Sequence, residues 1–333
     1  MVPSDPDNAN ARPHPADESG KCRRDFLKTA SILPVALAAA SCKPIAAPTV
    51  VAEPAMPHVH LGPYSVSRLI CGSNPFGAGS HLSIFVNLEM RRHFTPRQIL
   101  RTLHRCQEVG INCWQSGGDQ YKLWRRFVDD GGQMHYLSIE AGDTAKPETL
   151  ARIQNLAKAG CIGIAHHGEA TDSLFKNRRL DTIQDYLKRV RDAGMQVGVS
   201  THMPAVVDAI ESKGWDLDYY MTCIYERHRG PAELRELLGH IPIPVGEVYL
   251  MDDPPRMFKA IQATKRPCLA FKILAAGRLS ERPELVSAAF RDTFAAIKPT
   301  DAVIVGLYDR HTDQPAQDAA LVRQYGTIGG AKA

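Results

Sequence analysis

From Leu61 onward the chain alternates short apolar or β-branched runs with longer stretches whose apolar residues recur at helical spacing. The short runs predict eight strands: Arg68–Gly72, Ile111–Gln115, Met134–Glu140, Cys161–His166, Gln196–Thr201, Tyr219–Tyr225, Pro267–Leu274 and Ala302–Leu307. The longer stretches predict helices, among them Pro96–Val109, Pro147–Ala159, Leu180–Ala193 and Ala205–Lys213. Gly110, Gly160 and Gly194 each follow such a stretch, where glycine supplies a left-handed cap. Strands that alternate with helices build a parallel sheet, and eight units close into a (β/α)₈ TIM barrel of the α/β class.

A barrel of this kind puts its chemistry at the C-terminal ends of the strands. The first strand runs into Ser73-Asn74-Pro75-Phe76-Gly77 and the second into Gln115-Ser116-Gly117-Gly118-Asp119-Gln120-Tyr121. The third ends at Glu140, the fourth in His166-His167-Gly168-Glu169, the fifth in Ser200-Thr201-His202. The sixth ends in Tyr225-Glu226-Arg227-His228, the seventh carries Lys272, and the eighth gives Tyr308-Asp309-Arg310-His311. His, Glu and Lys recurring after apolar runs point to a catalytic ring rather than an ordinary solvated rim.

The apolar pattern is preceded by a different kind of segment. Arg23-Arg24-Asp25-Phe26-Leu27-Lys28, then an uncharged stretch from Thr29 to Ser41, resembles a twin-arginine export signal. That stretch is about a dozen residues long, short of the roughly twenty a membrane-spanning helix needs. Ala39-Ala40-Ser41-Cys42 resembles a lipoprotein cleavage box, with Cys42 as the lipidated residue; a plain cut near Ala38-Ala39-Ala40 is the alternative. The resemblance implies passage through the twin-arginine machinery and a membrane-tethered protein on the periplasmic or outer side. The expected organisation is a signal over 1–42, a Pro/Ala/Val-rich tether over 43–60, the barrel over 61–325 and a tail over 326–333.

Composition narrows the picture further. About 270 residues remain after signal and tether, enough for one barrel. A hydrophobic fraction of 44% with 23% charged residues is a globular balance, and the formal +4 is too diluted to imply a nucleic-acid partner. Proteins using the twin-arginine route fold in a reducing cytoplasm, so the eight cysteines argue for buried thiols rather than bridges. Cys71, Cys113, Cys161, Cys223 and Cys268 all lie in or beside apolar runs, and no Cys-x-x-Cys pair indicates zinc or an iron–sulfur cluster.

Four segments carry a further resemblance. Leu69-Ile70-Cys71-Gly72-Ser73-Asn74-Pro75-Phe76-Gly77 and Gly110-Ile111-Asn112-Cys113-Trp114-Gln115 are similar to the opening strands of aldo/keto reductases. Val197 through Val207 is similar to that family's fifth-strand motif, and Val303-Ile304-Val305-Gly306 to its eighth strand. The resemblance implies reduction of a small carbonyl or sugar-like substrate by NADP or NAD, through an Asp-Tyr-Lys-His tetrad. Carried over, it makes Tyr121 the general acid and His166 or His167 the histidine, but puts Gln115 at the aspartate and Glu140 at the lysine. Such a lysine eases proton loss from the tyrosine, so both departures weaken the reductase reaction more than the fold. Ser200, Gly277, Arg278 and Arg310 are the positions implied for holding the cofactor.

Two other chemistries stay open. His167, His202, Glu140, Glu226 and Glu247 are suitable donors for a divalent metal in isomerisation, epimerisation or elimination. Lys272, within Leu269-Ala270-Phe271-Lys272-Ile273-Leu274, is a candidate base or Schiff-base nucleophile, or else a buried lysine paired with Glu140 or Glu247. Outside catalysis, a tethered carbohydrate-binding barrel using Trp114, Trp124, Tyr121 and the histidines is the competing class. The Pro242–Pro255 segment reads as an extra strand or a lid, with Asp252 and Asp253 either lining the site or, the favoured reading, capping the helix from Pro254.

Overall fold

A computed structural model describes residues 54–243 and 247–327. The export signal, Cys42 and most of the tether lie outside the described residues. A hairpin comes first, β1 (His58–Leu61) paired antiparallel with β2 (Tyr64–Ser67). Next, β3 (Leu69–Gly72) is followed by α1 (Ile84–His93) and α2 (Pro96–Glu108), and β4 (Cys113–Gly117) by α3 (Gln120–Asp129). β5 (His135–Glu140) precedes α4 (Pro147–Ala159), and β6 (Gly163–His166) precedes α5 (Gly168–Lys176) and α6 (Gln184–Asp192). β7 (Gln196–Thr201) leads to α7 (Pro204–Lys213), and β8 (Tyr219–Cys223) to α8 (Pro231–Leu238) and α9 (Asp253–Ala263). β9 (Cys268–Phe271) with α10 (Pro283–Ala296) and β10 (Ala302–Gly306) with α11 (Gln314–Tyr325) complete the chain.

Strands β3 to β10 are parallel, pair in chain order and close on themselves, which is the (β/α)₈ barrel the apolar pattern predicts. All eight predicted strands are present. The predicted helix over Leu180–Ala193 divides into a 3₁₀ turn (Leu180–Ile183) and α6. Gly110, Gly160 and Gly194 have φ of 89°, 90° and 81°, the left-handed caps expected of them. The six cysteines among the described residues are buried and unbridged.

Period-2 alternation sorts most of the buried apolar strand residues into one of two cores. Ile70, Cys113, Leu137, Ala165, Tyr219, Met221, Leu269 and Ile304 fill the barrel interior, together with Val59, Leu61 and Val66 of the hairpin, which seals the N-terminal end. Trp114, Tyr136, Ile164, Val197, Val199 and Val303 point the other way, under the helices. The hairpin begins within the stretch read as tether, and its turn needs Gly62, whose φ is +57° and whose Cβ would lie 2.5 Å from Gln196. Arg68 binds the carbonyls of Asp301, Lys298 and Gly326, tying the last strand and helix to the first barrel strand. No described helix is long and apolar enough to cross a membrane.

Candidate active site at the barrel mouth

On the β4–β6 side, strand parity turns most of the expected tetrad away from the mouth. Gln115 points inward but is buried, its Nε2 donating to Ser116 O at 3.1 Å. Glu140 shares a face with Ser138 and Tyr136, beneath the helices, and accepts from Ser138 Oγ (2.8 Å) and Gly118 N (2.9 Å). Burial raises its carboxyl pKa, with those donors opposing the shift. His166, its register partner, also faces outward, with Nδ1 2.8 Å from Thr171 Oγ1 and its ring edge-on to Tyr186. Burial pushes His166 down to about 4. Tyr121 sits half-buried between Arg152 and Lys122, which lie 5.8 and 6.0 Å from its ring. The tetrad expected from the resemblance is therefore not assembled; of its histidine candidates His167, one residue further along, falls on the mouth side.

The β7–β9 side is different. Ser200 and His202 alternate inward at the end of β7, Cys223 at the end of β8 faces Phe271 on β9, and Lys272 follows directly. Lys272 Nζ is buried and makes no hydrogen bond among the described residues, and the same is true of Ser200 Oγ, Arg227 Nε and His228 Nε2. Burial lowers the Lys272 amine to about 8; Arg227 and Arg278 add to the shift, Cys223 and Glu169 oppose it. The Lys272 partnership expected with Glu140 or Glu247 is not formed. Glu140 lies on the outward face, and Glu247 is engaged by Arg227, by His81 Nδ1 (3.1 Å) and by Tyr249 OH (2.7 Å).

Three loops converge here. His81, in the loop after β3, receives a hydrogen bond from Asn74 Nδ2 and donates to Glu247. Arg278, after β9, binds the carbonyls of His81 and Glu247 and lies 4.1 Å from the Tyr249 ring centre. Glu247 and Tyr249 of the Pro242–Pro255 segment thus meet the loops after β3 and β9, and no strand is found among its described residues. Backbone strain marks the same place. Of six non-glycine residues with positive φ among the described residues, Ala78, His81, Lys272, Ala275 and Ala276 belong to the loops after β3 and β9. Each such residue costs on the order of 1–3 kcal/mol, and such strain clusters at functional sites. Lys272 itself is held at φ +61°.

Three of the proposed metal ligands, Glu140, Glu226 and Glu247, are engaged by other groups. Glu226 accepts from Arg256 (2.7 Å) and Arg229 (3.3 Å), which also binds the buried Asp253. His202 is bound to Asp172, and no group of three or more His, Cys, Asp or Glu side chains is arranged to hold a metal among the described residues. Of the positions implied for the cofactor, Ser200 lies on the mouth side of β7. Arg278 is engaged as above, Arg310 pairs with Glu89, and Gly277 closes a short 3₁₀ turn. Trp114 is fully buried, and Trp124 is stacked on Tyr136 with Nε1 donating to Met134 O, so neither offers a face to a sugar. Asp253 caps nothing; it is an ion partner of Arg229.

Arg227, His81 and Asp172 are the residues that sequence reasoning missed. Arg227 was visible only as part of a polar string after the sixth strand. Asp172, 3% exposed, sits inside an unremarkable helix and is drawn to the site only by the docking of α5 on β7.

The sequence matches no protein-family profile and no curated protein. Solved structures similar to this chain include an aldo/keto reductase, the glycerol dehydrogenase of Gluconobacter oxydans. It is 13% identical with a TM-score of 0.43, over 85% of this chain and 99% of that one. The phospho-2-dehydro-3-deoxyheptonate aldolase of Thermotoga maritima is 12% identical with a TM-score of 0.46, over 81% and 73%. The dihydropteroate synthase of Yersinia pestis is 10% identical with a TM-score of 0.42, over 80% and 97%. These likenesses extend to the barrel and no further.

Proposed function

We propose that this chain is an enzyme acting on a small carbonyl or sugar-like compound at the barrel mouth, with Lys272 as its reactive amine. The observation that carries this reading is a buried lysine Nζ without a hydrogen-bond partner among the described residues, at the end of a barrel strand and on strained backbone. An unpaired buried amine costs stability, and its lowered pKa leaves a useful fraction neutral and nucleophilic near neutral pH. The neutral amine adds to the carbonyl carbon, a C–N bond forms, and the carbonyl oxygen leaves as water carrying one amine proton and one proton from solvent, so that the other amine proton stays on nitrogen as an iminium. No oxidant or reductant is consumed. The export signal and lipidated Cys42 belong to the same proposal and are tested by cell fractionation of the wild type and Cys42→Ser, which is expected to leave the membrane fraction.

The test is reductive trapping. Purified full-length protein is incubated with pyruvate, dihydroxyacetone or glycolaldehyde and cyanoborohydride, then mapped by peptide mass spectrometry. An adduct concentrated on Lys272 supports the proposal. Label spread evenly over surface lysines overturns it, as does bound NADP(H) with hydride transfer that survives Lys272→Met, which would restore the oxidoreductase reading. Ligand retention with no turnover in the wild type would instead favour a binding protein.

A further inference from the structure

Asp172, on α5, is almost wholly enclosed and accepts from Thr201 Oγ1, from His202 N (3.0 Å) and from His202 Nδ1 (2.7 Å). A carboxylate can only accept, so the ring nitrogen facing it carries the hydrogen and Nε2 keeps its lone pair. His202 Nε2 makes no hydrogen bond among the described residues. The ring is held from several sides. It meets His228 edge-on at 4.7 Å and Phe271 at 5.6 Å, and a Cβ on Gly168 would come within 3.0 Å of His202 Cε1 and of Ser200 Oγ. The contact with Phe271, the residue immediately before Lys272, sets the imidazole beside the amine's strand end, and burial keeps the His202 pKa below the usual imidazole value, with Asp172 opposing this.

We infer that Asp172 and His202 form the proton-transfer dyad of this mouth, Asp172 positioning the ring so that Nε2 takes the proton from the carbon next to an imine carbon on Lys272. The inference rests on the imine reading above. The C–H electron pair becomes a C=C bond, the iminium pair moves onto nitrogen to give an enamine, and the proton stays on Nε2 until it is returned or passed on. Asp172 is a positioning residue in this scheme, acting through the tautomer it fixes.

Two measurements decide it. In the first, full-length protein is given pyruvate in D₂O, and proton NMR follows deuterium entry into the methyl group while trapping on Lys272 is measured in parallel. His202→Asn is expected to keep trapping within about threefold and to slow exchange about 100-fold or more. In the second, nitrogen-15 NMR of the histidines at pH 7 is expected to find His202 protonated at Nδ1 in the wild type and shifted towards Nε2–H in Asp172→Asn, with exchange slowed about 10-fold or more. Trapping intact with undiminished exchange in His202→Asn removes the role of His202 and leaves the imine standing. A wild-type ring protonated at Nε2 also overturns the dyad. No trapping in the wild type removes the imine, and the role of His202 with it.

Discussion

The two sides of this barrel mouth use the same kinds of side chain and reach opposite states. On the β4–β6 side Gln115, Glu140 and His166 each find a neighbour, Ser116, Ser138 with Gly118, and Thr171 respectively, and two of the three face the helices. On the β7–β9 side Lys272 Nζ, Ser200 Oγ, His228 Nε2 and Arg227 Nε are buried at the mouth without hydrogen bonds among the described residues, whereas the unbonded atoms of the other side, Trp114 Nε1 and Tyr136 OH, lie beneath the helices. A buried polar group left unmatched costs about 1–3 kcal/mol, so a cluster of them is tolerated where a ligand completes it. Polar residues at strand ends are therefore not equivalent: some have their hydrogen bonds made within the fold, and the ones left open at the mouth are where the proposal places the chemistry.

The comparison is broken most directly at Lys272. Lys272→Met is expected to lower trapping about 1000-fold or more while raising stability by about 2 kcal/mol at pH 7, because it removes an unpaired buried amine of similar length. The pH dependence has a definite sign. The folded-state pKa of about 8 lies below the unfolded value of 10.5, so the unfolded chain binds more protons between them and wild-type stability rises with pH across that window. The advantage of Lys272→Met, measured by urea unfolding, should shrink from pH 8 to pH 10.5. Over the same range wild-type trapping should rise through pH 8 and level off. Equal stability of both proteins at every pH would mean that the amine is solvated.

Trp124→Ala is the next largest effect and concerns the opposite side. Trp124 packs on Tyr136 beneath the helices, so the change is expected to cost about 3–5 kcal/mol in urea unfolding and to leave trapping on Lys272 within about twofold where the protein is folded. A loss of ligand affinity without loss of stability would return Trp124 to the mouth.

The fold was legible in the sequence because its signals are repeated and local: eight apolar runs, helical spacing between them and a glycine at three helix ends. The hairpin β1–β2 was not, since four-residue strands in a Pro-rich stretch carry too little alternation to stand out. The site was only half legible. That chemistry sits at strand ends follows from the topology, yet which residue of an adjacent pair faces inward depends on strand parity. His166 and His167 follow Ile164 and Ala165, apolar on both faces, so nothing in the pattern distinguishes them. Asp172 needs the packing of α5 on β7 to be seen at all.

Glu140→Gln sharpens the comparison with a smaller effect. The raised carboxyl pKa means that the folded chain holds its proton to higher pH than the unfolded one, so this group's contribution falls as pH rises from 4.5 through the folded value. The amide keeps an acceptor for Ser138 and Gly118 and removes that slope. Stability at pH 7 is expected to change by less than about 1 kcal/mol, with trapping unaltered.

The smallest expected effect is the one with the most power to reverse the argument. Under the resemblance to aldo/keto reductases Tyr121 is the proton donor, and losing such a group costs a reaction about 100-fold to 10,000-fold. In the structure its ring lies between Arg152 and Lys122. Tyr121→Phe keeps the ring and both cation contacts and removes only the hydroxyl. Turnover of any carbonyl substrate, and trapping on Lys272, should stay within about twofold of wild type. A loss of 100-fold would place the working proton on the β4–β6 side after all, and would make the unpartnered groups around Lys272 a binding surface rather than the seat of the reaction.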